Sequence, residues 1–412
     1  MDTPAQLHWT ASRATGLERL AAFAPRMGHA YAAGRNYDLG PGKHGRVSGL
    51  SPYVRRRLVT ERELVAAALA HHGPAAAEKF VQEVFWRSYF RGWLEARPAV
   101  WDAYRQGLDR DLDMLAEAPG LAKHVAAAET GRTGLACFDA WMHELIDTGY
   151  LHNHARMWAA SIWIFTLNLP WRIGADLFLR HLIDGCPASN TLGWRWVAGL
   201  HTRGKSYQAQ AWNIAKFTQG RFTPGDAELA DVALPLEEPD PPRPAPLRPV
   251  VAPDRALPTA LLVTEEDLTP EQADLAGRDL VAVATLRASA LRSPREVSPV
   301  VADFDRAALA DAAERLQAAG APAAEALTAG PPGSLTAWAQ DRGVRQIATV
   351  FVPVGPVRDW LDREAEPLAQ AGIRLAEFCR DWDRRIWPHA TAGFFKVKKQ
   401  IPRLLREFEL ID

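Results

Sequence analysis

Two short stretches of this 412-residue chain carry residue types suited to a flat, hydrogen-bonding ligand. In the first, Glu83, Trp86 and Arg87 are spaced i, i+3, i+4. That spacing puts a carboxylate, an indole and a guanidinium on one helix face. In the second, Asn153, Arg156 and Met157 repeat it. Asparagine offers a donor and an acceptor to a heteroaromatic edge, and methionine packs adaptably against a ring. Asp184 is the natural charge partner of Arg156, and a buried Arg–Asp pair is costly unless fully hydrogen-bonded. Asn190 follows, after Pro187. The plainer readings are an intrahelical Glu–Arg pair beside a core tryptophan for the first triad, and a helix with one buried asparagine for the second. His152 and His154 are two apart and point in different directions. The HExxH arrangement is absent, and no metal is assigned.

Two further patterns carry chemistry. Trp171, Trp194 and Trp196 lie close in sequence to the second triad. They read either as core or as a spaced chain of indoles able to carry an electron hole. Residues 185–225 contain no Asp or Glu, but hold Arg195, Arg203, Lys205, Lys216 and Arg221 among Trp194, Trp196, Tyr207, Trp212, Phe217 and Phe222. A basic surface with aromatic platforms suits a nucleic-acid backbone and an unstacked base. The alternative is an ordinary basic face. Arg55, Arg56 and Arg57 would add to such a patch.

The elements that must position these residues are helical up to about residue 225. Apolar periodicity and stop signals predict helices over 61–71, 75–96, 139–147, 151–168 and 175–183, the fourth ending before Pro170. Ser51-Pro52 reads as a helix start. Residues 235–258 hold nine prolines and mark an extended connection. Beyond it the pattern changes. Apolar runs at 259–263, 280–285 and 346–352, a weaker one at 300–302 and another at 374–378 read as strands. They alternate with helices at 304–319, 334–342 and 357–371, which implies a small parallel α/β domain. Neither a GxGxxG nor a Walker A loop is present.

Composition bounds the partners. Net charge is −1, so any nucleic-acid site must be a local patch. The three cysteines, Cys137, Cys186 and Cys379, are far apart and fit reduced thiols in a cytoplasm. Residues 1–9 have no apolar core of the signal-peptide kind, and no apolar run reaches the roughly 18 residues of a membrane span. Eleven of the fifteen tryptophans precede residue 213.

Taken together and in order, these residues resemble the FAD-binding helical domain of the DNA photolyase/cryptochrome family. The likeness runs over residues 9–222. It is carried by Tyr31 with Arg35, Val47-Ser48-Gly49-Leu50-Ser51-Pro52, Glu83-Val84-Phe85-Trp86-Arg87, and Thr133-Gly134 with Asp139-Ala140. It continues through Gly149-Tyr150-Leu151-His152-Asn153 with Arg156-Met157, Leu182-Ile183-Asp184-Gly185 with Asn190, and Trp194-Arg195-Trp196. The resemblance implies a helical FAD-binding domain over 1–230, a Pro-rich linker over 231–258, and an α/β, Rossmann-like domain over 259–412. That last domain resembles the family's N-terminal domain moved to the C-terminus.

The resemblance also implies site residues. Tyr31, Val47, Ser48, Gly49, Leu50, Ser51, Phe80, Arg87, Arg156, Asp184, Cys186 and Asn190 would contact FAD. Glu83, Trp86, Asn153, Met157 and Trp196 would face the lesion, Trp171 and Trp194 would conduct electrons, and Arg195, Arg203, Lys205, Lys216 and Arg221 would bind DNA. The implied activity is blue-light repair of cyclobutane pyrimidine dimers, since Asn153 and Met157 match the cyclobutane branch and not the 6-4 branch. A monomer acting in the cytoplasm is expected. The chain departs from the family in four places. Cys186 replaces an acid, His154 an arginine and Val47 a hydroxyl residue, and residues 117–120 lack the outermost electron-transfer tryptophan. These departures keep two alternatives open: a cryptochrome-like photoreceptor that signals without repair, and a flavin-free DNA-binding or scaffold module.

Overall fold

In the computed structural model the described residues are 9–273 and 279–412. Of the N-terminal stretch read for a signal peptide, residues 1–8 lie outside them. No strand occurs among the described residues before β1 (Thr259–Thr264), and helices run from Arg13–Phe23 to Ala211–Phe217. Then come β2 (Leu280–Arg287), β3 (Ala324–Thr328), β4 (Gln346–Val350) and β5 (Arg374–Phe378). They form one sheet of order β3-β2-β1-β4-β5, with every neighbouring pair parallel. The expected class, a helical region followed by a parallel α/β region, is the observed one.

The central strands explain themselves. β1, Thr-Ala-Leu-Leu-Val-Thr, is buried along its whole length, as a parallel strand covered on both faces must be. Ala260 and Leu262 point to one side. There they join Ala284, Leu286 and Ile347 in a core with Leu335 and Ala339 of the Ser334–Asp341 helix and Trp360 and Leu361 of the Pro356–Gln370 helix. One expectation fails, and one edge strand was not expected. Residues 300–302 are not a strand, because Pro299 opens a helix that runs to Ala318. β3 has no apolar run, because an edge strand is covered on fewer sides, and all five of its residues are only half-buried or exposed.

The chain forms two compact units, and neither is one continuous stretch. The first comprises Trp9, His29–Gly49 and Arg97–Arg243, and the second Thr10–Gly28, Leu50–Ala96 and Pro244–Asp412. The helical region of residues 1–230 is therefore divided between them. The proline-rich segment is divided too, and hydrogen bonds pin it in each unit. In the first, Leu236 N–H donates to Ala198 O (2.9 Å) and Arg97 Nε to Pro242 O (3.1 Å). In the second, Ala245 N–H donates to Ala96 O (2.8 Å), and Arg248 pairs with Glu377.

Within the second unit the Glu61–Glu95 helix starts in a Thr60–Glu63 capping box and breaks at Gly73 (φ 68°, ψ 172°), just before Pro74. The positive φ suits glycine alone among common residues there. Before this helix lies a buried ion network. Arg55 donates to Glu266 (2.7 and 2.8 Å), Arg56 pairs with Asp305, and Arg57 meets Asp383 (2.7 Å), Glu61 (3.0 Å) and Asp267 (3.3 Å). Arg380 adds a bidentate grip on Asp267. Burial alone would push the Glu61 carboxyl up, but the guanidiniums of Arg57, Arg87 and Arg91 outweigh it and hold it at about 2. The Arg55–Arg57 run, expected as part of a DNA-facing patch, is thus an internal charge cluster with each residue at most 1% exposed.

Candidate functional site

In the first unit three helices position the second triad and its partners. The Asn153–Ser161 helix is capped by His152, whose ring Nδ1 accepts from the His154 N–H (3.2 Å). Its first turn projects Asn153, Arg156 and Met157, which are exposed, half-buried and half-buried while the rest of the helix is buried. Arg156 Nε donates to Leu151 O (2.8 Å) and Nη2 to Asp184 Oδ2 (2.8 Å). Asp184 follows the Trp171–His181 helix, and Pro187 opens the Pro187–Val197 helix that carries Asn190. The Asn190 Nδ2 donates to Ala175 O (2.8 Å). That bond fixes the amide orientation and leaves its carbonyl oxygen for a ligand. Arg156 retains 23% exposure against 5% for Asp184, so the pair is anchored inside and opens outward on its cationic side.

This donor set fits an isoalloxazine. A fixed guanidinium–carboxylate pair and an oriented amide match the hydrogen-bonding edge and developing charge of a flavin ring. Cys186 is buried as the residue preceding the Pro187–Val197 helix. Tyr31 lies in the short His29–Gly34 helix, and Val47, Ser48 and Gly49 close the following loop, with Gly49 at φ 60°.

The indoles separate by environment. Trp194 is buried, edge-on to Trp163 (6.4 Å) and Phe178 (5.1 Å). Trp171 is buried, donates Nε1 to Glu238 (2.9 Å) and lies 5.9 Å from the Tyr104 ring. Trp196 is half-buried and stacked on Tyr207 (5.4 Å, 29°). His154 is stacked on Trp158 (4.1 Å, 22°), and its Nδ1 is 2.9 Å from Asn36 O.

The five cations expected to bind DNA do not form one surface. Arg195 is buried and donates to Glu238 (2.8 Å), and Arg221 donates to the buried Asp38 (2.6 Å). Arg203 is exposed but pairs with Asp240. Lys205 and Lys216 are exposed. The acid-free window 185–225 was real, but its countercharges come from Asp38, Glu238 and Asp240, outside it.

The first triad belongs to the second unit. Glu83, Trp86 and Arg87 are half-buried on one helix, with Phe80 and Leu50 buried and Ser51 at the start of the Ser51–Arg55 helix. Arg87 is taken up by the chain itself: Nε donates to Glu61 (3.2 Å) and Nη2 to Arg55 O (3.0 Å). The Trp86 ring is stacked on Phe394 (3.9 Å, 13°). Sequence reading missed Phe394, Glu61 and Glu238. None of them sits within a recognisable pattern around the residue it meets.

Residues 80–222 match the family model described as the FAD binding domain of DNA photolyase. Over these residues the chain is similar to the FAD-binding domain of the DNA photolyase/cryptochrome family. Relatives of the photolyase domain include a deoxyribodipyrimidine photo-lyase of Streptomyces griseus. It is 40% identical over 159 residues, which are 38% of this chain and 32% of that protein. Another, from Thermus thermophilus, is 39% identical over 153 residues, 37% of this chain and 35% of that one. The chain spans about a third of the length of these curated relatives. Among solved structures, a class III photolyase from Agrobacterium tumefaciens aligns with TM-score 0.43 at 27% identity, over 51% of this chain and 43% of that one. No helix of the described residues is long and apolar enough to cross a membrane.

Proposed function

We propose that this protein is a blue-light-driven flavoprotein that repairs cyclobutane pyrimidine dimers in DNA, acting as a cytoplasmic monomer. The observation that carries the reading is the Arg156–Asp184 pair, anchored at 2.8 Å with Asn153 and Met157 on the same helix turn and Asn190 oriented nearby in sequence. Reduced FAD, when bound and excited, supplies the electron that opens the dimer's cyclobutane ring and takes it back afterwards. The chain's own residues do the rest. Arg156 and Asp184 hold a fixed charge pair against the ring, and Asn190 presents its amide carbonyl. Tyr31, Val47, Ser48, Gly49, Leu50, Ser51, Phe80 and Cys186 complete the cofactor contacts. Glu83, Trp86, Asn153, Met157 and Trp196 take the dimer-facing roles, and Trp171 and Trp194 are the electron-transfer indoles. Lys205 and Lys216, exposed and without a carboxylate partner among the described residues, remain the cations for the DNA backbone.

One observation favours the second reading, a photoreceptor that signals without repair. Phe394 already covers one face of Trp86. The test compares the purified protein's flavin spectrum, its affinity for dimer-containing DNA, and its light-dependent repair. A flavin spectrum with repair supports the proposal. A flavin spectrum with no dimer binding and a light-dependent partner affinity supports the photoreceptor. A colourless protein that takes up no added FAD leaves a flavin-free module.

A further inference from the structure

A second polar cluster lies in the first unit, in residues to which the flavin reading gives no role. Its members come from three separate stretches: Asp38 and His44 from the glycine-rich loop after Arg35, Glu144 from the Ala136–Thr148 helix, and His152 from the cap of the Asn153–Ser161 helix. Asp38 is fully buried, His152 is 1% exposed and Glu144 4%. The ligating atoms of Asp38, His44 and Glu144 all lie within 4.8 Å of one another, the one such group among the described residues. His44 Nε2 is 2.7 Å from Glu144 Oε1, and the His44 and His152 rings stack at 5.8 Å and 16°.

The protein's own hydrogen bonds leave this cluster incomplete. Asp38 Oδ1 accepts from the Gly40 N–H (3.1 Å), and Oδ2 accepts from Trp141 Nε1 (3.0 Å) and Arg221 Nη2 (2.6 Å). One carboxylate lone pair on Oδ1 is unused. His44 Nδ1 and His152 Nε2 are buried with no hydrogen-bond partner among the described residues. Buried polar nitrogens nearly always have one. The charge is incomplete as well. Two buried carboxylates face the single guanidinium of Arg221, which leaves an excess negative charge when both imidazoles are neutral.

We propose that Asp38, His44 and Glu144 hold one divalent first-row metal ion, with zinc the favoured species. One imidazole and two carboxylates are nitrogen and oxygen ligands of the kind such ions select, and three protein groups leave the fourth position of a tetrahedral ion to water. His152, whose Nδ1 accepts from the His154 N–H, carries its proton on Nε2 and lies beside the site as a donor, not as a ligand. A bound ion uses the unpartnered His44 nitrogen and cancels the excess charge. Its role is structural. It ties the loop of residues 36–49 to the Ala136–Thr148 helix. The site stands independently of the flavin reading.

The test uses the full-length protein. Elemental analysis after purification without chelator, cobalt(II) titration of the chelator-stripped protein, and thermal denaturation with and without zinc are measured together. The expected results are one ion per chain, visible bands of four-coordinate cobalt, and a Tm that rises with zinc concentration. His44→Ala abolishes the bands. The near-isosteric Glu144→Gln, which keeps a hydrogen bond to His44, weakens cobalt affinity by tenfold or more with the far-ultraviolet circular dichroism unchanged. A metal-free protein that gives no cobalt bands and no zinc-dependent Tm shift overturns the proposal. So do bands that persist at full strength in both variants, because the ion then sits elsewhere.

Discussion

The helix turns of Glu83, Trp86 and Arg87 and of Asn153, Arg156 and Met157 have the same i, i+3, i+4 design and opposite fates. On the first, Arg87 is bound to Glu61 and to Arg55 O, and Trp86 lies under Phe394. On the second, Arg156 has one carboxylate partner and one carbonyl, and remains partly exposed. Spacing decides which side chains share a face. What the face meets is decided by residues far away in the chain, and in the first case these are acids of a buried network and an aromatic near the C-terminus. The first triad is built into its unit, whereas the second is held from behind and left open in front.

The strongest way to break this contrast is to remove the centre of the buried network. Arg57→Ala leaves Asp383, Glu61 and Asp267 facing one another without their shared cation. Loss of one partner from a buried charge group costs about 3–5 kcal/mol, so urea denaturation should show a loss of that order. A loss under about 1 kcal/mol would mean that the network is solvated. Asp184→Asn in the first unit should cost less stability, because its partner Arg156 reaches solvent. It should instead lower the flavin content of the purified protein, read from absorbance.

A third comparison uses pH. Glu95, at the end of the first triad's helix, is 5% exposed, and burial raises its carboxyl to about 7 despite the Val354 N–H and the Arg248 and Arg91 charges. In the folded state it therefore holds its proton where the unfolded chain, at about 4.5, has lost it. The folded form binds more protons between those values, so stability from this group falls as pH rises from 4.5 to 7 and stays reduced above. Glu95→Gln removes that dependence and should raise stability at pH 8 by at most about 3 kcal/mol, at 1.36 kcal/mol per pH unit. No gain at pH 8 relative to pH 5 would show that Glu95 ionises without cost. Phe394→Leu should cost about 0.5–1.5 kcal/mol, the worth of an aromatic pair beyond its area. Its sharper readout is dimer affinity: a gain would show that Phe394 competes for Trp86, and no change would show that the stacked face is only a packing surface. The smallest effect is expected at the exposed Arg203–Asp240 pair, where Arg203→Ala should change stability by less than about 1 kcal/mol.

The sequence was most legible where one local pattern had one meaning. β1, β2, β4 and β5 were apolar runs, and the break in the long helix fell at Gly73–Pro74 as expected. β3 was not legible, since an edge strand needs no apolar run, and residues 300–302 were misread because three apolar residues fit a helix start equally well. The second triad was legible together with its partner Asp184, because charge complementarity on neighbouring elements has few solutions. The Arg55–Arg57 run and the window of residues 185–225 misled in the same way. Three consecutive arginines, and a stretch without acids, look solvated only until distant carboxylates arrive, and no local spacing reveals Glu266, Asp305, Asp383 or Glu238. The division of the chain into two discontinuous units is likewise a tertiary property, set by which surfaces the 50–96 segment buries.

The most direct measurement is light-dependent repair of a cyclobutane pyrimidine dimer in an oligonucleotide by the full-length, FAD-loaded protein. Wild type is compared with Glu83→Ala and Trp196→Ala. Repair under blue light and none in darkness is predicted for the wild type, with repair abolished in both variants while the flavin spectrum stays intact. A wild-type protein that holds FAD and repairs nothing, or full-rate repair by both variants, would contradict the proposed site.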